Sequence, residues 1–198
     1  MKHRGRHRAN DDMMDEMGEC IIPVDVDEDY GVIYVFSEID DNTALTITKS
    51  LQRFSSDDKI DIITMYINSP GGSASSAMSI CDSMLTCRKP IRTIGTGKVM
   101  SAAIPILACG TKDHRFLHKH TFGMIHQPYI ENNQAITTED SKSLSYAMDL
   151  LYEYLLELSS RYSTKKQKSL LDNALQKNSD QYLTSEQMVD MGIADHIL

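Results

Sequence analysis

From Ile60 to Ile67 the chain is apolar almost throughout and rich in β-branched side chains. A strand with one wet face alternates polar and apolar residues, whereas a run this continuous suits a strand covered on both faces. The neighbouring segments can supply that cover. Val32 to Phe36 and Ile91 to Ile94 are further β-rich runs, and short strands are expected at Arg115 to Leu117 and Phe122 to Ile125. Between them the sequence predicts three helices. One runs from Thr43 to about Phe54, capped by Asp41 or Asn42; one follows Ser73 and ends near Thr86, before Lys89-Pro90; one spans about Ala102 to Cys109 and is ended by Gly110. Alternating β and α elements predict an α/β fold, a wound sheet with crossover helices.

The later chain reads differently. From about Thr138 to Tyr162, apolar residues fall at Leu144, Met148, Leu151, Leu155, Leu158 and Tyr162. Steps of four and three make one stripe along a long helix. A shorter helix is expected from Lys165 to Gln176, then Tyr182-Leu183, then a helix from Ser185 to about Met191. Residues 1–29 are polar, charged and Met-rich, and read as a flexible arm before a domain over 30–198.

Composition narrows the function. With 198 residues, 41% hydrophobic and 24% charged, the chain has the make-up of one soluble globular domain. A net charge of -8 argues against a dedicated nucleic-acid binder, which needs concentrated Lys and Arg. No apolar run approaches the roughly 20 residues that cross a bilayer. Lys2, Arg4, Arg6 and Arg8 make the start basic, but no apolar stretch follows as in a secretory signal, so a cytoplasmic location is expected. Cys20, Cys81, Cys87 and Cys109 have no C-x-x-C spacing; Cys109 lies in an apolar stretch and reads as a small buried hydrophobe.

Three segments carry chemistry. In Gly97-Lys98-Val99-Met100-Ser101-Ala102-Ala103 a strand ends, glycine permits a sharp turn, and a serine stands where a helix begins. A hydroxyl there sits beside unpaired backbone N–H groups, the donors that the oxyanion of acyl transfer needs; a plain N-cap serine is the bland alternative. In Asn68-Ser69-Pro70-Gly71-Gly72 the paired glycines let a backbone approach another group closely and expose its N–H groups, although a simple strand-to-helix turn would look the same. In Met124-Ile125-His126-Gln127-Pro128 a histidine at the end of an apolar strand could act as a general base, or be a hydrogen-bonded core histidine. His114, His118 and His120 lack a metal-binding motif such as H-E-x-x-H.

Together, N-S-P-G-G, G-x-x-x-S and M-I-H-Q-P, in that order, resemble the signature blocks of the proteolytic subunit of the Clp protease (ClpP). The resemblance extends from about Gly31 to Leu198 and implies the ClpP/crotonase-like fold, with the long helix protruding as a handle. It makes Ser101 the nucleophile and His126 the general base. The family's D-x-[FY]-[LM]-[ST] segment matches Asp180-Gln181-Tyr182-Leu183-Thr184, so Asp180 is the matching acid; the residues alone do not distinguish it from Asp172 or Asp190. The backbone N–H groups of Gly72 and Ala102 match the oxyanion donors. The implied protein is a serine endopeptidase acting on unfolded polypeptides inside a homo-oligomer of stacked rings, fed by an AAA+ unfoldase. Neither cofactor nor metal is required.

The departures are local. Ala102-Ala103 stands where the family has Met-Gly, residues 129–136 replace a glycine-rich stretch, and Met1 to Tyr30 shows little of the segment that engages an unfoldase. Pro105 fits only within the first turn of its helix, which places the helix start close to Ser101. Competing readings are a crotonase-like acyl-CoA enzyme, a Ser–Lys mechanism through Lys98, and a catalytically silent structural ring subunit.

Overall fold

The computed structural model describes residues 24–127, 138–177 and 179–198, without the side chains of 138–144, 147 and 148. Among the described residues eight strands make one sheet: β1 (Val24–Asp27), β2 (Val32–Val35), β3 (Ile63–Ser69), β4 (Ile91–Met100), β5 (Arg115–Leu117), β6 (Phe122–Ile125), β7 (Gln181–Thr184) and β8 (His196–Ile197). Six helices accompany them: α1 (Asp41–Ser55), α2 (Ala74–Leu85), α3 (Ala103–Ala108), α4 (Thr138–Ser159), α5 (Lys165–Leu175) and α6 (Ser185–Asp190). The order β1-β2-β3-β4-β5-β8 is parallel except at β1–β2. This is the wound α/β sheet that the alternating pattern predicts.

Strand β4 is the pivot. Its first half pairs with β5 (Thr93↔Arg115 to Gly95↔Leu117) and its second half with β6 (Lys98↔Phe122 to Met100↔Met124). The sheet therefore forks along one strand, and β7 closes the second branch antiparallel to β6. The sequence predicts the end of this strand at Ile94, because Gly95-Thr96-Gly97 looks like a loop. The strand instead runs on to Met100. A Cβ at Gly95 would meet Leu117 Cδ2 at 2.6 Å, and one at Gly97, where φ is +61°, would meet Asn68 Oδ1 at 2.8 Å. The glycines serve close strand-to-strand approach rather than a turn.

The core lies where β2, β3 and β4 meet α1, α2 and α3. Ile33, Ile47, Met65, Ile67, Ile80, Ile106 and Leu107 are fully buried there. In β3 the inward side chains alternate with half-buried ones, so only one face of Ile63–Ser69 is fully covered, which corrects the expectation of two. Helix α1 begins one residue before the expected caps: Asp40 accepts from the Thr43 N–H at 2.7 Å, which holds the Asp40 carboxyl below its usual range. Pro105 occupies the first turn of α3, where its missing N–H costs no helical bond. Cys109 is buried, as its apolar setting suggests.

The expectation of a flexible arm over 1–29 does not hold for 24–27. Val24–Asp27 is strand β1, and Val24 and Val26 pack partly buried against the core. The alternation Val-Asp-Val-Asp is itself the signal of a one-sided strand, and a high charge count masked it. Residues 1–23, Cys20 among them, and the substituted stretch 129–136 lie outside the described residues. So do the side chains of Leu144 and Met148 in the helical stripe. Helix α4 ends at Ser159, short of Tyr162, and Tyr152 donates a hydrogen bond to Asp172 of α5. Partial burial, with the Asp172 carboxylate beside it, pushes that phenol up to about 12. Among the described residues no helix is long and apolar enough to cross a membrane.

Candidate active site

Ser101 follows the last residue of β4 in a left-handed backbone conformation, with φ at +50°. For a residue with a side chain this costs about 1–2 kcal/mol, so other contacts must hold it. Its N–H donates to Met124 O of β6 at 2.7 Å, and its carbonyl accepts from Ile104 N–H at 3.0 Å. The sharp turn ends the strand and aims the hydroxyl out of the sheet. Ser101 is not the N-cap serine of the bland reading. The cap of α3 is Ala102, with no side-chain cap bond, and Ser101 Oγ is spent elsewhere.

It is spent on His126. Ser101 Oγ lies 2.8 Å from His126 Nε2, and His126 Nδ1 lies 2.5 Å from the carbonyl oxygen of Gln127. A carbonyl can only accept, so Nδ1 carries the proton and Nε2 presents its lone pair to the serine hydroxyl. This is the tautomer a general base needs. Lys98 belongs to the same strand as Met100, yet the recorded partner of the hydroxyl is the imidazole.

The paired glycines press against this turn. At Gly71, φ is +93° and an added Cβ would lie 2.6 Å from Met100 O, 2.8 Å from Ser101 Cβ and 2.9 Å from Ala102 N. Only glycine allows that approach. Gly72, with φ at +141°, forms a bridge to Ile39: Ile39 N–H donates to Gly71 O and Ser73 N–H to Ile39 O, both at 2.7 Å. That pattern leaves the Gly72 N–H out of the bridge. Among the described residues neither Gly72 N–H nor Ala102 N–H has a hydrogen-bond acceptor, and both residues line the cavity that holds Ser101 and His126. Two unspent donors flanking a nucleophile can stabilise a developing oxyanion.

Asp180 is placed by register. Strands β6 and β7 pair from Phe122↔Thr184 to Ile125↔Gln181, so His126 directly follows β6 and Asp180 directly precedes β7 at the same end of the pair. Asp180 is exposed, and its carboxylate makes no hydrogen bond to His126 within the described residues. The rivals the sequence left open have other settings: Asp172 takes the Tyr152 hydroxyl, and Asp190 ends α6. Among the described residues the structure thus joins Ser101 to His126 and leaves Asp180 at the adjoining strand end.

Two contributors escaped the sequence reading. Ser69 is fully buried; its hydroxyl donates to Ser37 O at 2.6 Å and accepts from Gly71 N–H at 3.1 Å, which ties the glycine turn to the strand before α1. Asn68 accepts from Lys98 N–H at 3.2 Å through Oδ1, the atom that packs against Gly97. Both stand inside the motif, but their role is to brace, and spacing alone does not reveal a brace. The cavity itself, about 650 Å³, is walled on one side by α4 and α5 through Leu151, Leu155, Leu171 and Leu175.

The chain is similar to proteins of one family. A family model described as Clp protease matches residues 25–198. "ATP-dependent Clp protease proteolytic subunit 1" of Thermobifida fusca (strain YX) is 32% identical over 167 residues, 84% of this chain and 73% of that protein. The protein of the same description from Shouchella clausii (strain KSM-K16) is 31% identical over 171 residues, 84% of each chain. "ATP-dependent Clp protease proteolytic subunit 4" of Rhodococcus jostii (strain RHA1) is 29% identical over 167 residues, again 84% of each.

Proposed function

The chain belongs to the Clp protease family, and from that premise we propose that it is a serine endopeptidase working through Ser101, His126 and Asp180. The observation that carries the reading is the 2.8 Å contact between Ser101 Oγ and His126 Nε2 at a left-handed turn. A histidine that was only a core residue would have no cause to meet a strained, cavity-lining serine.

The steps follow from the atoms. His126 Nε2 takes the hydroxyl proton as Ser101 Oγ attacks the scissile carbonyl. The Gly72 and Ala102 N–H groups receive the oxyanion, and each such donor is worth about 10²–10³-fold in rate. The imidazolium then protonates the leaving amine, and water enters by the same base to release the acyl group. In this mechanism Asp180 stabilises the imidazolium. The Gln127 carbonyl accepts from the ring Nδ1–H and orients the imidazole.

The assembled form is part of the proposal. The relatives' descriptions, which name them proteolytic subunits of an ATP-dependent protease, support a homo-oligomer of stacked rings fed by an AAA+ unfoldase with unfolded polypeptides. Tyr146 and Tyr154 expose large apolar faces on α4, which suits a handle that joins two rings. A cytoplasmic site of action accords with such a machine. The silent-subunit reading leaves the Ser101–His126 contact without a purpose, and an acyl-CoA enzyme of crotonase type does not require it.

The test is covalent. Assembled protein treated with a fluorophosphonate is expected to carry the adduct on Ser101, with no labelling in Ser101→Ala and full labelling in Lys98→Met. An assembled protein that resists the probe would favour the silent subunit.

A further inference from the structure

The cavity beside Ser101 has two unlike sides. Leu151, Leu155, Leu171 and Leu175 make one of them apolar. By the glycine turn stands Glu38, which among the described residues is the one lining side chain besides His126 that takes a charge near neutral pH. The bridge from Ile39 to Gly72 holds it there, with Glu38 Cγ 2.9 Å from the place a Gly72 Cβ would occupy. The carboxyl carbon is bonded to that Cγ, close to the residue whose N–H is assigned to the oxyanion.

Glu38 is the first of three acids in the segment leading into α1, and the other two have structural roles. Asp40 caps the helix through the Thr43 N–H, and Asp41 accepts the Ser76 hydroxyl at 2.6 Å, which ties α1 to α2. At Glu38 the backbone carbonyl accepts from the Ser37 and Thr43 hydroxyls, at 3.2 and 3.1 Å. Its carboxylate enters neither of the ion pairs found among the described residues, Arg53–Glu28 and Arg115–Asp195.

A half-buried carboxylate in a cavity with an apolar wall is screened less than one on an open surface, so it attracts a cation more strongly. Arginine and lysine suit such a cavity, because the long stem packs on apolar wall while the charged head stays with the acid. An extended chain advances about 3.3–3.6 Å per residue. A polypeptide with its scissile carbonyl at the Gly72 N–H therefore carries its adjoining residues past Glu38.

Resting on the peptidase reading above, we propose that Glu38 is a specificity-determining residue. It selects polypeptides that carry arginine or lysine within two residues of the scissile bond.

The experiment compares kcat/KM for peptides with arginine, or its neutral isostere citrulline, at each of the two positions on either side of that bond. The enzymes are wild type, Glu38→Gln, Glu38→Lys and Asp58→Asn, each assembled and counted by fluorophosphonate titration of Ser101 so that misfolded protein does not enter the ratio. Asp58 is exposed in the turn before β3, at the far end of that strand from the glycine turn, and its variant changes the net charge as Glu38→Gln does. Wild type is expected to prefer arginine at one or more of these positions. There the arginine-to-citrulline ratio should fall about 10-fold in Glu38→Gln, fall further in Glu38→Lys and hold in Asp58→Asn. Ratios unchanged at every position in both Glu38 variants, with Ser101 still titratable, would overturn the role of Glu38 and leave the peptidase standing. An equal fall in Asp58→Asn would also overturn it, by tracing the preference to overall charge. Failure of wild-type Ser101 to titrate would remove the peptidase reading and this inference together.

Discussion

Two polar clusters in this fold invite comparison: Ser101 with His126, and Arg115 with Asp195. Each joins distant segments by side-chain hydrogen bonds. Arg115 is 2% exposed and all of its guanidinium nitrogens are occupied. Nε donates to Asp195 Oδ2 at 2.9 Å and Nη2 to Asp195 Oδ1, while Nη1 reaches Gly192 O at 2.9 Å and, more weakly, Ala108 O and Ile193 O. The Tyr162 ring lies 5.1 Å from the guanidinium carbon. The cluster clamps β5 to the C-terminal segment, with each guanidinium nitrogen donating to an acceptor of the protein itself. At Ser101 the backbone is strained, two adjacent N–H groups are unspent, and a cavity opens alongside. Satisfied polar groups hold a fold together, whereas unsatisfied ones in a cavity are held ready for something else.

The sharpest way to break this contrast is at the nucleophile. Ser101→Ala is expected to lower peptide hydrolysis by about 10⁴-fold or more while leaving the urea unfolding midpoint nearly unchanged. His126→Ala should match it, because the two act as a unit. A large loss of stability in either would mean that this pair, too, is structural.

Arg115→Ala should do the reverse. It strands the Asp195 carboxylate and several carbonyls, so stability is expected to fall by about 3–5 kcal/mol in urea titration, with hydrolysis per folded molecule retained. Pairing Arg115→Met with Asp195→Leu should recover much of that loss, since no buried charge is then left alone. No recovery would show that the cluster's hydrogen bonds to Gly192 and its neighbours, rather than its charges, carry the clamp.

Gly71→Ala falls between the two. A Cβ at that φ must push against Met100 O and Ser101, so hydrolysis is expected to drop about 10²-fold, similar to losing one oxyanion donor. Circular dichroism should show a folded protein. Full activity in Gly71→Ala would remove the close approach of the glycine turn from the mechanism.

The smallest effect is in acid. Burial works to raise the Asp195 pKa, but hydrogen bonds and charge from Arg115 outweigh it and hold the carboxyl below its ordinary 3.8. A depressed folded-state pKa means stability that is fully present above the unfolded value and lost as pH falls through the folded one. Thermal scans from pH 6 downward should therefore show the clamp's contribution intact to about pH 4 and declining below it. Asp195→Asn should flatten that part of the profile.

Much of this molecule was legible in the residues. The alternation of apolar runs and helical stripes yields the wound sheet, and the three short motifs select Ser101 and His126, which the fold brings within 2.8 Å across 25 residues. Errors gathered where one residue type serves two purposes. Glycines that look like a loop at 95–97 are interior to β4, and the charged Val-Asp-Val-Asp segment that looks like an arm is β1. Ser69 and Asn68 look in sequence like part of a turn, and only their three-dimensional partners, Ser37 and Lys98, make them braces.

What the sequence determined by itself is local. Periodicity depends on residues a few positions apart, and so do caps, breakers and the steric need for glycine at a turn, so each can be read along the chain. What only the tertiary structure decided is which distant groups meet and which are left unpaired. The fork of β4 sets Ser101 beside β6, the β6–β7 pairing brings Asp180 and His126 to the same end of the two strands, and the packing of α4 and α5 forms one wall of the cavity. The physical reason is that a hydrogen bond depends on distances of a few tenths of an ångström between atoms far apart in sequence. Those distances are fixed by the packing of the whole core, and no single segment contains them.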